Sequence, residues 1–152
     1  MTPEEKLKAL GLTLPPLRTP PANFIPFKLD GRTIYLSGQG PARPDGSYYI
    51  GKVGRDFTWQ EAYEHAKLVG LGLLAAAKAA AGELSRVEPL KLLGMVNATA
   101  DFVDPPRVIN GCSDLLVEVL GERGRHARSA VGMATLPNGM SVEIEAVMRI
   151  VD

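Results

Sequence analysis

The sequence predicts an α+β domain with two long helices on one face of a largely antiparallel sheet. Runs of alternating side chains flank two turn signals, Asp30-Gly31 and Pro137-Asn138-Gly139. Between those runs lie two stretches with apolar residues at helical spacing, which stop at Gly82 and Gly121. The chain of 152 residues suits one domain and is long enough to bury a core without disulfides or metals.

Thr2-Pro3-Glu4-Glu5 offers an N-cap, a proline at the first helical position and acids in the first turn, so a short helix opens the chain. Leu14 to Ala22 contains Pro15-Pro16 and Pro20-Pro21 and reads as an extended strap that fastens that helix. These segments, residues 1–22, precede a main domain over residues 23–152. Its first element is a hairpin of Phe24–Leu29 and Arg32–Ser37 about Asp30-Gly31, running into Ser37-Gly38-Gln39-Gly40, where glycines allow close approach to neighbouring chain or to a ligand. Tyr48 to Gly54 reads as a short strand or a loop. Thr58-Trp-Gln-Glu61 fits a capping box, and the helix behind it is apolar nearly all round, so it is buried on more than one side. His65 is expected on its solvated part, beside Glu61 and Glu64, with no second histidine at metal spacing. Val87 to Ala98 reads as a central strand, and Val108, Ile109, Cys112, Leu115, Leu116 and Val119 define the second long helix, with Cys112 on its apolar stripe. The chain then closes on an expected β-hairpin about Pro137-Asn138-Gly139. Val142, Ile144, Ala146, Met148 and Ile150 form its core face, and Glu143 and Glu145 lie on the other. Arg128 projects from the first arm among small neighbours, with room to meet a carboxylate. Val131 and Met133 on the remaining sheet face suggest that subunits pack sheet against sheet.

Composition narrows the function. With 17 basic and 17 acidic residues the formal charge is zero, so no global field draws the protein to nucleic acid or an anionic membrane. Any anion recognition is local, at Arg128 or in the loop Gly121 to Arg128, which gathers three arginines and a histidine. One cysteine excludes an internal disulfide and a multi-cysteine zinc site. That usage, with a polar N-terminus, points to the cytoplasm. The most apolar run, Leu68 to Ala81, is interrupted by Lys78 and is too short for a membrane span.

Ser37-Gly38-Gln39, Val108-Ile-Asn110, Ala127-Arg128-Ser129-Ala-Val131, Leu136-Pro137 and Val142-Glu143-Ile-Glu145-Ala146 together resemble the RidA family, also called YjgF or endoribonuclease L-PSP. The resemblance spans about Phe24 to Asp152, and the leading helix and strap are similar to those of a longer subgroup. It implies a chorismate-mutase-like fold, a homotrimer with pockets at the subunit interfaces, and hydrolysis of reactive enamines and imines to 2-keto acids and ammonia without a cofactor. Arg128 matches the arginine that pairs with the substrate carboxylate, a task suited to a planar two-pronged donor. Glu143 matches the glutamate that holds the attacking water. Ser37 and Gly38 match the pocket-lining strand end, and Asn110 an asparagine on the second helix. Two pocket positions depart from the pattern: Phe24 stands where the deaminases have tyrosine and Ala130 where they have cysteine.

These features favour an imine deaminase for small 2-imino acids, with no metal. The alternative is a weakly catalytic carboxylate-binding trimer. No membrane partner is expected, and RNA cleavage has little support, because the chain lacks a histidine pair suited to acid–base cleavage.

Overall fold

A computed structural model describes the whole chain, Met1–Asp152. The elements run α1 (Pro3–Ala9), β1 (Phe27–Asp30), β2 (Thr33–Gln39), α2 (Trp59–Ala81), β3 (Val87–Asn97), α3 (Pro105–Leu120), β4 (Ala127–Met133) and β5 (Val142–Ile150). The five strands form one sheet in the order β1-β2-β5-β3-β4. All pairs are antiparallel except β3 with β4. The two long helices pack together on one face, and a single apolar core joins them to the sheet. The α+β expectation is met.

Local signals set the element ends. Thr58 forms the expected capping box, and the expected N-cap at Thr2 forms one as well, each hydroxyl accepting from the backbone N–H of the glutamate three residues on. The first hairpin forms one residue late: Asp30 pairs with Thr33, so the two-residue loop is Gly31-Arg32, with Gly31 at φ 60°. Residues Tyr48 to Gly54 form a loop with isolated bridges from Tyr48, Ile50 and Val53. Cys112 is fully buried, and burial pushes its thiol up to about 12, as suits a small hydrophobe on an apolar stripe. At Gly111 a Cβ would run into the Tyr63 carbonyl, so α3 approaches α2 more closely than any other residue there permits.

Two expectations fail. The last two strands do not pair with each other. The Asn138-Gly139 turn does form, at φ 58° and 73°, but β3 lies between β4 and β5. The physical reason is that α3 returns the chain parallel to β3, as the helical crossover of a βαβ unit does. That docks β4 on one side of β3, and β5 then takes the position between β3 and β2, where its apolar face Val142, Ile144, Ala146 and Met148 is fully covered. His65 is the second miss: it is 4% exposed, stacked on Tyr49 at 4.0 Å and edge-on to Phe57 at 4.6 Å. Its Nδ1 lies 2.8 Å from the Ser141 hydroxyl. The loop before α2 folds its aromatic residues over the helix and covers a side that the sequence assigns to solvent.

Candidate functional site

The pleat separates the residues singled out in the sequence into two groups. Arg128 pairs across the strands with Leu92, and Leu92 with Ala146, both buried, so Arg128 lies on the helix face of the sheet. Ala130 follows it on the same face. Glu143 pairs with Met95, and Met95 with Val131, an odd number of residues from Leu92, so Glu143 lies on the opposite face. Two strand spacings, about 10 Å, and a three-residue offset add to that separation. Within one chain, Arg128 and Glu143 therefore face opposite sides of the sheet, and no hairpin carries them both.

The first group is built on β4 and α3. The Arg128 guanidinium donates from Nη1 to the Ser113 hydroxyl at 3.0 Å and from Nη2 to Asn110 Oδ1 at 2.8 Å and the Pro106 carbonyl at 3.3 Å. Asn110 and Ser113 are three residues apart on one face of α3, which is why both reach it. Ser113 also lies 2.9 Å from His126 Nε2, while His126 Nδ1 lies 2.7 Å from the Gly124 carbonyl. A carbonyl only accepts, so Nδ1 carries the proton; in the neutral ring Nε2 then accepts from the Ser113 hydroxyl, whose oxygen faces Arg128. Arg128 is thus held in place entirely by neutral oxygens and forms no ion pair in its own chain. Ser113 and His126 are additions to the sequence reading; the i, i+3 spacing from Asn110 was the available signal for Ser113. The other two arginines of the preceding loop turn elsewhere, Arg123 to the Ser85 carbonyl and Arg125 to Glu122.

The second group surrounds Glu143 at the far end of β2. A bulge between Leu36 and Gln39 bends β2 where it leaves β5. A Cβ on Gly38 would come 2.7 Å from Glu143 Oε2, so the carboxylate occupies space that only glycine leaves open. Glu143 has no cationic partner, and partial burial, with Glu145 alongside, raises its carboxyl above the ordinary 4.5. A carboxyl shifted in that direction holds a proton more readily than a free glutamate, as suits a general base. Ser37 lies beside it, donating its hydroxyl to the Ile25 carbonyl at 2.7 Å. Phe24, 47% exposed, borders the same cleft of about 610 Å³. No three His, Cys, Asp or Glu side chains gather in a way that could hold a metal ion.

A family model described as "YjgF/chorismate mutase-like, putative endoribonuclease" matches residues 4–143. The chain belongs to the YjgF/RidA family. It is 37% identical over 146 residues to Protein TCP17 of Trypanosoma cruzi, covering 95% of this chain and 91% of that protein. Two solved structures each align over 98% of the chain. One is a protein of unknown function from Agrobacterium tumefaciens, 43% identical with 92% of its own chain covered and a TM-score of 0.89. The other is a "putative endoribonuclease" from Shewanella oneidensis, 33% identical with 99% covered and a TM-score of 0.94. A RidA from an Antarctic Psychrobacter is 28% identical and aligns over 90% of this chain and 94% of its own, with a TM-score of 0.62. Within the YjgF/RidA family, this chain is thus closer in shape to proteins that match it almost end to end than to that RidA.

Proposed function

We propose that this protein hydrolyses small reactive 2-imino and enamine acids to 2-keto acids and ammonia, in the cytoplasm, in pockets completed between subunits of a homotrimer. The supporting observation is the split site: an arginine without a counter-charge on one face of the sheet, and a carboxyl without a cation on the other. Neither half can hold and hydrolyse an imino acid alone. Joined across an interface, Arg128 takes the ligand carboxylate in a two-pronged ion pair, with Asn110 and Ser113 holding its plane. Ser37 and Gly38 shape the other wall, with Phe24 and Ala130 as apolar neighbours. An enamine first tautomerises to the imine. Glu143 then takes a proton from water as its oxygen adds to the imine carbon and returns that proton to the nitrogen. The resulting carbinolamine passes its hydroxyl proton to nitrogen as the C–N bond breaks, releasing ammonia and leaving the keto oxygen. No step calls on a metal or cofactor.

Ammonia and keto-acid release from an imine generated in situ by a pyridoxal-phosphate enzyme tests this. Acceleration that is lost in both Arg128→Ala and Glu143→Gln is expected; a buffer rate with folded wild-type protein would overturn the proposal. A second reading, a carboxylate-binding regulator with little turnover, draws on Phe24 and Ala130, which bring neither phenol nor thiol to the pocket. Calorimetric keto-acid binding that needs Arg128 without any turnover would establish it. The endoribonuclease activity named in the family description takes no support from either histidine, since His65 is buried and His126 is tied to Gly124 and Ser113.

A further inference from the structure

The proposed chemistry leaves the proline strap without a task, yet the strap is more than a fastening. Residues 15–22 form one wall of the cleft beside Glu143; Leu68 and Ala75 of α2 contribute to another, and Tyr48 and Met140 close it. Its volume, about 610 Å³, falls in the range that encloses a drug-sized ligand, and a three-carbon acid fills only a small part.

The polar groups of the cleft are largely engaged. Gln39 Nε2 donates to the Gly72 carbonyl at 3.0 Å, the Ser37 hydroxyl serves Ile25, and Arg18 donates to the Gly46 carbonyl at 3.0 Å with its guanidinium over the Tyr48 ring. Thr19, Asn138 and the Glu143 carboxylate stay polar and unpartnered at its edge, but most of the open lining is apolar: proline rings, Leu17 at 45% exposure, Phe24, Leu68 and Ala75. Proline presets the backbone, so this wall loses little freedom when a guest enters. Apolar surface left open beside a half-buried carboxyl calls for an apolar group attached to the reacting carbon.

We propose that the strap-walled cleft holds the ligand's side chain and selects 2-imino and 2-keto acids with branched aliphatic or aromatic side chains over three-carbon ones. The inference rests on the carboxylate site proposed above, with Arg128 anchoring one end of the ligand and the strap receiving the other.

Calorimetry on the full-length protein with pyruvate, 4-methyl-2-oxopentanoate and phenylpyruvate tests it. The two larger acids should bind at least about tenfold more tightly than pyruvate, equivalent to about 1.4 kcal/mol. Ala75→Phe fills the cleft, and Leu17→Ala strips an exposed strap contact whose loss leaves the core intact; each should cut that ratio at least about threefold. Arg128→Ala should weaken all three acids together. Equal, Arg128-dependent affinities for the three acids would overturn the side-chain site and leave the carboxylate site standing. A preference untouched by both Ala75→Phe and Leu17→Ala would also overturn it. Failure of all three acids to bind would overturn both proposals.

Discussion

At the scale of single residues, Glu143 carries the sharpest expectations. Because its carboxyl is raised above 4.5 by burial and by Glu145, its ionised form is disfavoured in the folded state. Glu143→Gln should therefore cut turnover about 10²- to 10⁴-fold while leaving the melting temperature equal or higher, a split that calorimetry and the coupled assay read together. If Glu143 is the base, the acid limb of the wild-type turnover profile should lie above pH 4.5, since that role needs the deprotonated carboxyl. His65 gives a pH effect of another kind. Burial lowers its pKa from 6.5 to about 4, so below pH 6.5 the unfolded chain binds a proton that the folded chain refuses. Stability should fall as pH drops from 6.5 to 4, by about 3 kcal/mol at 1.36 kcal/mol per unit. Denaturant unfolding across that window should show the slope in wild type and a flatter one in His65→Phe.

At the scale of elements, the contact between α2 and α3 rests on small residues. Gly111 lies against the Tyr63 backbone, and neither helix can yield without disturbing the core on its other side. Gly111→Ala should cost about 1–3 kcal/mol by overpacking, measured by urea unfolding. The same contact bears on the site, because α3 carries Asn110 and Ser113 to Arg128. A shift of α3 should therefore weaken keto-acid binding together with stability. On β2, the bulge and Gly38 do the corresponding work for Glu143.

At the scale of the whole molecule, the sheet itself divides the chemistry. Arg128 and Glu143 face opposite ways from strands on either side of β3, and a pocket using both needs two chains. This makes a specific prediction. Arg128→Ala and Glu143→Gln should each be inactive alone, but equimolar mixing under subunit exchange should restore about a quarter of wild-type activity, the chance that one interface draws an intact arginine from one parent and an intact glutamate from the other. No recovery in mixed assemblies would place both groups in one chain's pocket.

Much of this architecture was legible locally. Capping at Thr2 and Thr58, the 3.6-residue period of α3 and the alternation of β5 each act within a few residues, so composition and spacing determine them. The Asn138-Gly139 reversal is also local, because it depends on which backbone angles those residues tolerate. Which strand that reversal joins to which is not local. The βαβ crossover places β4 beside β3, and burial of β5's apolar face places it on the other side; both are decided by packing among segments distant in sequence. His65 went astray for the same reason, since only the folded loop brings Tyr49, Phe57 and Ser141 around it. By itself, then, the sequence determined most of the elements and the family, and it put forward Arg128 and Glu143 as candidates. The tertiary structure alone decided that Arg128 and Glu143 lie on opposite faces of the sheet and that the proline strap walls a cleft, because side-chain direction and strand partnership follow from global pairing.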